Sequence, residues 1–185
     1  MRVDKELNLV VPLEREDGTL YVHSTPIGSE VFDKYFKVIS KTFSDITTLG
    51  VGFIGGPGIA GNMLKDVATR LGVWDGVDGV QNGLVNEIRR LTNVVVPTEA
   101  GWRAVPLEIA QAQGLLSEGE LKEAEGIITF FIVTSATCTR KVLQGFLTAL
   151  EEMWSCQVTS LNCSAFASSL RTSTGTDSSG GTVDT

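Results

Sequence analysis

The chain has few of the residues from which catalytic and metal sites are usually built. Its 185 residues include one histidine, His23, and three cysteines, Cys138, Cys156 and Cys163. There is no CxxC pair and no second histidine, so the ligand spacing of a zinc site is not present. A histidine-dependent triad would have to use His23, which we expect to be a strand residue either at the surface or in a hydrogen-bonded structural role. The odd cysteine count disfavours a disulfide framework and favours reduced thiols.

Long apolar runs and basic clusters are also missing. The longest apolar run, residues 127–133, is interrupted by Thr129 and is far shorter than the ~20 residues that span a bilayer. Four of the first six residues are charged, and this stretch lacks the apolar segment of a signal peptide. The net charge is −7, and the longest basic stretches are the pairs at 89–90 and 140–141. We therefore expect neither a membrane nor a nucleic acid as partner.

What the chain does have is an apolar-rich body followed by a polar end. Hydrophobic residues make up 42% of the sequence, which is typical of a globular protein. The last stretch, RTSTGTDSSGGTVDT, contains one large apolar residue, Val183. Such a segment buries too little surface to offset the entropy of ordering it. We predict a globular domain over residues 1–170 and a disordered, flexible tail over 171–185.

The first half of the body predicts a hairpin followed by helices. Residues 7–13 and 19–24 have strand composition and flank an Asp-Gly turn. Ser29 can cap a helix whose apolar residues recur at helical spacing: Val31, Phe32, Tyr35, Phe36, Ile39, Phe43 and Ile46. Glycines then predict a flexible connection through residues 50–61, and a helical pattern resumes from Ile59 to Leu71.

The second half predicts further helices and a possible second small hairpin. A loop over 74–79 precedes a helix over 80–91, and residues 93–97 and 102–105 form the hairpin. A short helix begins at Pro106 or Leu107. Ser117 and Glu120 fit a capping box that opens a helix to about Thr137, with 127–133 at the centre of the core. Helices over 140–154 and from Asn162 to about Leu170 follow. The predicted fold class is α+β, mostly helical, in a single domain.

Two strings resemble ligand-binding motifs. Residues 56–61, GPGIAG, form a GxGxxG, and Asp78 lies near the distance expected of a ribose-binding acid. The segment before it is a poor strand and Pro57 removes one backbone amide, so a nucleotide-binding enzyme is the least favoured alternative. Residues 75–79, DGVDG, fail the spacing of a calcium loop and predict a surface turn. We expect no catalytic residue, no cofactor and no metal.

An acidic stretch is the one candidate for partner binding within the body. Glu118, Glu120, Glu123 and Glu125 lie in the first turns of the helix that follows Ser117. Acidic residues at a helix N-terminus are favoured by the helix dipole, which explains them as a solvated face. They could equally form a docking face for a basic partner, and the sequence leaves both interpretations open.

Three segments carry a resemblance to a known family. They are residues 9–27 (LVVPLEREDGTLYVHSTPI), 31–36 (VFDKYF) and 86–93 (NEIRRLTN). With them the chain resembles small proteins encoded in the tail-gene region of long-tailed bacteriophages, the tail assembly chaperones. The resemblance extends over most of residues 7–170 and contains no catalytic motif.

The resemblance implies a non-catalytic, mostly helical helper in the host cell cytoplasm. Tail assembly chaperones bind the long tape-measure protein, keep it soluble, and recruit tail-tube subunits around it. Many are made in two forms through a ribosomal frameshift, and self-association is possible. The alternative is a virion structural protein of the tail or of the head–tail connector. Tube proteins are typically β-rich, so the predicted helix content argues against a tube protein and less strongly against a connector.

Overall fold

Two hairpins and one short strand form a single antiparallel sheet in the computed structural model, which describes residues 7–48, 52–138 and 140–170. The strands are β1 Asn8–Arg15, β2 Gly18–Ser24, β3 Thr92–Thr98, β4 Gly101–Pro106 and β5 Gln157–Thr159. Their order across the sheet is β4-β3-β2-β1-β5. Val22 is opposite Val94 where the two hairpins meet, and Leu9 is opposite Val158. The predicted flexible tail lies outside the described residues.

Helices account for most of the remaining described chain. They are α1 Ser29–Thr48, α2 Gly52–Arg70, α3 Asn86–Arg90, α4 Leu107–Ala112, α5 Glu118–Thr137, α6 Arg140–Trp154 and α7 Cys163–Ser169. A π-helical turn, Gln81–Val85, leads directly into α3. The predicted fold class, α+β and mostly helical, is confirmed, as are both hairpins. Within the described ranges, no helix is both long and apolar enough to cross a membrane.

The main core lies between one face of the sheet and helices α1, α2 and α5. Alternate strand residues face it, as the two-residue period of a strand requires: Leu9, Val11, Leu13, Val22, Val94, Val96 and Val105. Every residue from Ile127 to Thr134 in α5 is buried. This confirms that the apolar second half of α5 is at the centre of the core, and it explains why α5 contacts β1, α1 and α2.

The opposite face of the sheet is covered by α7. Phe166 and Ala167 pack on Val10 and Val95, and the half-buried side chains of Tyr21, Trp102, Cys163 and Leu170 surround them. Asn162 caps α7 as predicted, because its side chain accepts a hydrogen bond from the Ala165 amide. The result is three layers, with the sheet between the large helices and one short helix.

Helix α2 contradicts the prediction of a flexible connection through residues 50–61. The helix begins at Gly52 and continues through Pro57 to Arg70. Glycine and proline lower helix propensity, but propensity is a weak term that tertiary packing overrides. The packing here is close: a Cβ at Gly56 would lie 2.6 Å from the Phe130 ring, and one at Gly126 would lie 2.5 Å from the Pro57 carbonyl oxygen. The glycines allow α2 and α5 to approach each other.

The buried face of helix α1 also differs in part from the predicted one. Tyr35, Ile39 and Ile46 are buried as predicted, whereas Phe36 is 50% exposed. Val38 and Thr42 are buried in its place. The buried stripe of α1 is therefore rotated away from Phe36, which leaves a large aromatic ring at the surface.

Candidate functional site

The acidic residues of α5 do not form one continuous free face. Glu120 completes the capping box with Ser117 and receives two hydrogen bonds from Arg15, at 2.6 Å from Nε and 2.9 Å from Nη2. These hydrogen bonds lower the pKa of Glu120 from its usual 4.5 to about 2, and the Arg15 side chain is the largest cause. Glu120 therefore joins the start of α5 to β1 through these hydrogen bonds.

The other three glutamates divide between pairing and exposure. Oε1 of Glu125 lies 2.7 Å from Nη2 of Arg89, and both side chains are about 30% exposed. Glu118 and Glu123 are exposed at the surface of the first turns. Glu120 and Glu123 border one surface cavity, whereas Glu118 and Glu125 border another. Of the four predicted partner-binding residues, Glu118 and Glu123 are the ones whose carboxylates are available to a partner.

His23 is a buried residue of the sheet face under α7. Its Nε2 lies 3.0 Å from the Leu161 carbonyl oxygen and donates a hydrogen bond to it in the matching tautomer. The ring lies 5.9 Å from that of Phe166, and burial lowers its pKa below the usual 6.5. Of the two expected placements, the structure has the hydrogen-bonded structural one, and His23 is not at the strand surface.

Acidification below pH 6.5 should destabilise the protein through His23. Because the folded-state pKa is lowered, the unfolded chain binds the proton more readily, and stability falls from pH 6.5 toward the folded-state pKa. Replacing His23 with glutamine keeps a donor for Leu161 and removes the titration. We expect the free energy of unfolding, measured by urea titration between pH 7.5 and 5, to depend less on pH in His23→Gln. If stability depends on pH as strongly in His23→Gln as in the wild type, His23 is not the group responsible for the loss of stability on acidification.

The cysteines are free thiols held in the protonated form. Burial raises the pKa of Cys156 to about 12 and that of Cys163 to about 11, and it also raises the pKa of Cys138. A nucleophilic or metal-binding cysteine requires the thiolate at neutral pH. These three residues therefore serve as small apolar side chains. In the described part of the chain no cluster of His, Cys, Asp or Glu could hold a metal ion.

The GxGxxG string is part of helix α2 and is not a phosphate-binding loop. A phosphate cradle needs backbone amides that point to the ligand from a turn between a strand and a helix. Residues 56–61 lie within the helix, and α1, not a strand, precedes it. Of the three glycines in the motif, only Gly56 lies where a Cβ would contact another residue, Phe130. The motif is a helix-packing feature.

Sequence reasoning missed an exposed apolar cluster, which we call the Phe36 patch: Phe36, Leu71 and Val73. Their side chains are 50%, 52% and 42% exposed, and all three border one surface cavity of about 520 Å³. The patch joins α1 to the segment after α2, so no single sequence pattern contains it. Val77, in the following loop, is 92% exposed.

A second feature, the Arg89 cavity, lies between α2, the π-helical turn and α5. Its volume is about 270 Å³, and three cationic residues line it: Lys65, Arg89 and Lys122. Trp74 forms part of the wall and carries the Lys65 ammonium 5.6 Å from its ring centroid. The Nε of Arg89 is buried and has no hydrogen-bond acceptor among the described residues.

Comparison with known proteins adds no assignment to these features. No family model matches the chain, and neither does any curated protein or solved structure.

Proposed function

We propose that this chain is a tail assembly chaperone of a long-tailed bacteriophage, a non-catalytic protein that acts in the host cytoplasm. It binds the tape-measure protein, keeps it soluble and recruits tail-tube subunits during tail morphogenesis. The proposal is supported by the resemblance of residues 9–27, 31–36 and 86–93 to that family. The structural observation that favours a binding role is the Phe36 patch.

The Phe36 patch has the chemistry that a helical client requires. The patch exposes three large apolar side chains on a protein whose net charge is −7. Clustered apolar residues with a polar rim mark interaction sites, and an amphipathic helix can place its apolar face against such a surface. Around the patch, Lys34 pairs with Asp78 at 2.6 Å, which supplies part of that rim. Weak contacts of this kind, repeated by many copies along a long client, give strong binding overall.

Co-expression with the adjacent-gene tape-measure and tail-tube proteins tests the proposal. We expect soluble tape-measure protein to be recovered with this chain by affinity pull-down, and to precipitate when this chain is omitted. Mass spectrometry of purified virions should find this chain absent or scarce. If the tape-measure protein is not retained and the chain is stoichiometric in finished particles, it is a virion structural protein and the chaperone proposal is wrong.

Charged substitutions in the Phe36 patch should weaken client recovery. Because Phe36 and Leu71 are half exposed, aspartate at either position leaves the core intact while it removes an apolar contact. Loss of a central interface residue typically costs affinity about tenfold or more. We expect Phe36→Asp and Leu71→Asp each to retain about tenfold less tape-measure protein than the wild type.

The matched control is Ile109→Asp. Ile109 is 48% exposed, close to Phe36, but it lies on α4 and does not border the cavity of the patch. It should retain the client at the wild-type level. An equal loss in all three variants would show that the effect is not specific to the patch.

A further inference from the structure

The Arg89 cavity concentrates positive charge on an acidic protein. Lys65, Arg89 and Lys122 all border it, and Glu125 is the one carboxylate among its lining residues. Lys65 and Lys122 form no ion pair with any described residue, whereas Arg15, Lys34, Lys41, Arg70, Arg89 and Arg90 each have a carboxylate partner. Two unpaired ammonium groups therefore flank one guanidinium at the same opening. Such a group of cations favours an anion.

Beside the charged residues, the lining includes uncharged polar side chains (Asn62, Gln81, Asn86 and Thr129) and a substantial apolar part, and the apolar part limits the kind of anion. Leu64, Trp74, Val85 and Ile88 contribute to the walls. An inorganic anion would leave these surfaces unused, and it prefers a wholly polar cradle. A carboxylate attached to a small apolar group fits both the cationic and the apolar parts of the lining. Its charge would lie among the cations, and its apolar group would lie against the apolar walls. Trp74 contributes an aromatic part of this wall, beside the Lys65 ammonium.

The backbone beside the cavity has an unusual form. Gln81 and Val85, the first and last residues of the π-helical turn, both border the cavity. The Val85 amide donates to the Val80 carbonyl at 2.9 Å, the long-step bond that defines this conformation. Short π-helical turns are rare and frequently occur at functional sites, because they widen a helix locally and redirect its side chains. Here the widening is adjacent to the cationic residues.

We infer that the Arg89 cavity is a binding site for an organic carboxylate with a small apolar body. A free organic acid and an acidic side chain beside an apolar one on a partner protein present the same chemistry. The site is separate from the Phe36 patch in its lining residues, so this inference does not depend on the proposed chaperone function.

Titration of the ¹⁵N-labelled full chain with small probes tests the site by NMR. The reporters are the indole N–H of Trp74 and the backbone amide of Gly61, since both residues line the cavity. We expect benzoate to shift both signals saturably at millimolar concentration, and the neutral isostere benzamide to bind at least about fivefold more weakly. Equal binding of the two probes, tighter binding of inorganic phosphate than of benzoate, or no shift at about 20 mM would each overturn the inference.

Variants of exposed cations assign the effect to the cavity. Lys122→Gln should weaken benzoate binding about fivefold, because the lysine is exposed and its charge is one of three at the opening. Arg103→Gln is the control: Arg103 is also exposed and lies on β4, outside the cavity lining. It should leave benzoate binding unchanged. If both variants weaken binding equally, the signal reflects overall charge and the site is wrong.

A second pair of probes distinguishes the two sources of the carboxylate. The blocked dipeptide acetyl-Leu-Glu-amide represents a protein side chain, and acetyl-Leu-Gln-amide is its neutral counterpart. Binding of the glutamate peptide more tightly than benzoate would support a protein partner. Tighter binding of benzoate would support a free organic acid.

Discussion

Replacing Gly126 with alanine should lower the free energy of unfolding by about 3 kcal/mol. Its Cβ would lie 2.5 Å from the carbonyl oxygen of Pro57, well inside van der Waals contact. That oxygen belongs to the backbone of α2, so it cannot move aside as a flexible side chain would. To relieve the overlap, α2 and α5 would have to separate at the centre of the core. Urea denaturation of the wild type and Gly126→Ala measures the difference.

Gly61→Ala is the matched control for this prediction. Gly61 is also a helical glycine, in α2, but a Cβ there would meet nothing within 4 Å. Alanine is favoured over glycine in a helix by up to about 1 kcal/mol, so this variant should be as stable as the wild type or more stable. Similar destabilisation by both substitutions would contradict the close-packing explanation.

Replacing Glu120 with alanine should destabilise the protein by about 2–3 kcal/mol. One part is the reciprocal half of the capping box: the carboxylate accepts hydrogen bonds from the Ser117 amide and hydroxyl, and losing them costs about 1 kcal/mol. The other is the pair of charge-assisted hydrogen bonds from Arg15, whose guanidinium would keep only the Leu115 carbonyl as its described acceptor. Both side chains are less than 30% exposed, so screening by solvent is incomplete.

The same residue predicts a dependence of stability on pH. Because the pKa of Glu120 is about 2 in the folded protein and 4.5 is its usual value, the carboxylate stabilises the fold above pH 4.5. This contribution is lost progressively as pH falls from 4.5 toward 2. We expect the unfolding free energy of Glu120→Ala to vary less over that range than that of the wild type.

Glu123→Ala supplies the comparison for Glu120→Ala. Glu123 is three residues further along the same helix, is exposed, and has no ion-pair partner among the described residues. Its replacement should change the unfolding free energy by less than about 0.5 kcal/mol. A loss as large as that of Glu120→Ala would mean that general acidity near the helix start, and not the contact with Arg15, provides the stabilisation.

Local signals in the sequence were sufficient for most elements of the fold. The Asp-Gly turn, the Ser117–Glu120 capping box and the Asn162 cap each act within a few residues, so their patterns can be read directly. The run from 127 to 133 predicts a buried helix segment because it is apolar on nearly every side, with Thr129 as its one polar residue. These features depend on interactions that are close in sequence.

Features made by distant residues could not be predicted in the same way. Helix α2 forms despite its glycines because α5, which is distant in the sequence, packs against it. Strand β5 has three residues and is held by pairing with β1, so its own composition gives little signal. Phe36 fits the apolar period of α1, but which stripe of a helix is buried depends on the neighbours that cover it.

The candidate sites are also formed by residues that are distant in the sequence. The sequence places four glutamates together, yet Arg15 and Arg89, remote in the chain, decide which of them are free. The Arg89 cavity combines residues from α2, the π-helical turn, α3 and α5, and the Phe36 patch combines α1 with the segment after α2. No motif search would assemble either set.

The pairing of β5 with β1 also matters while the protein is being synthesised. The ribosome completes β1 at Arg15, but it completes β5, the strand that pairs with the outer edge of β1, only at Thr159. At a translation rate of ~5–20 residues per second, the ribosome needs roughly 7–30 s to reach it. During that interval the nascent chain presents an unpaired strand edge, the kind of edge that recruits other chains. We therefore expect pairing with neighbouring nascent chains on the same polysome to compete with folding until β5 has been made.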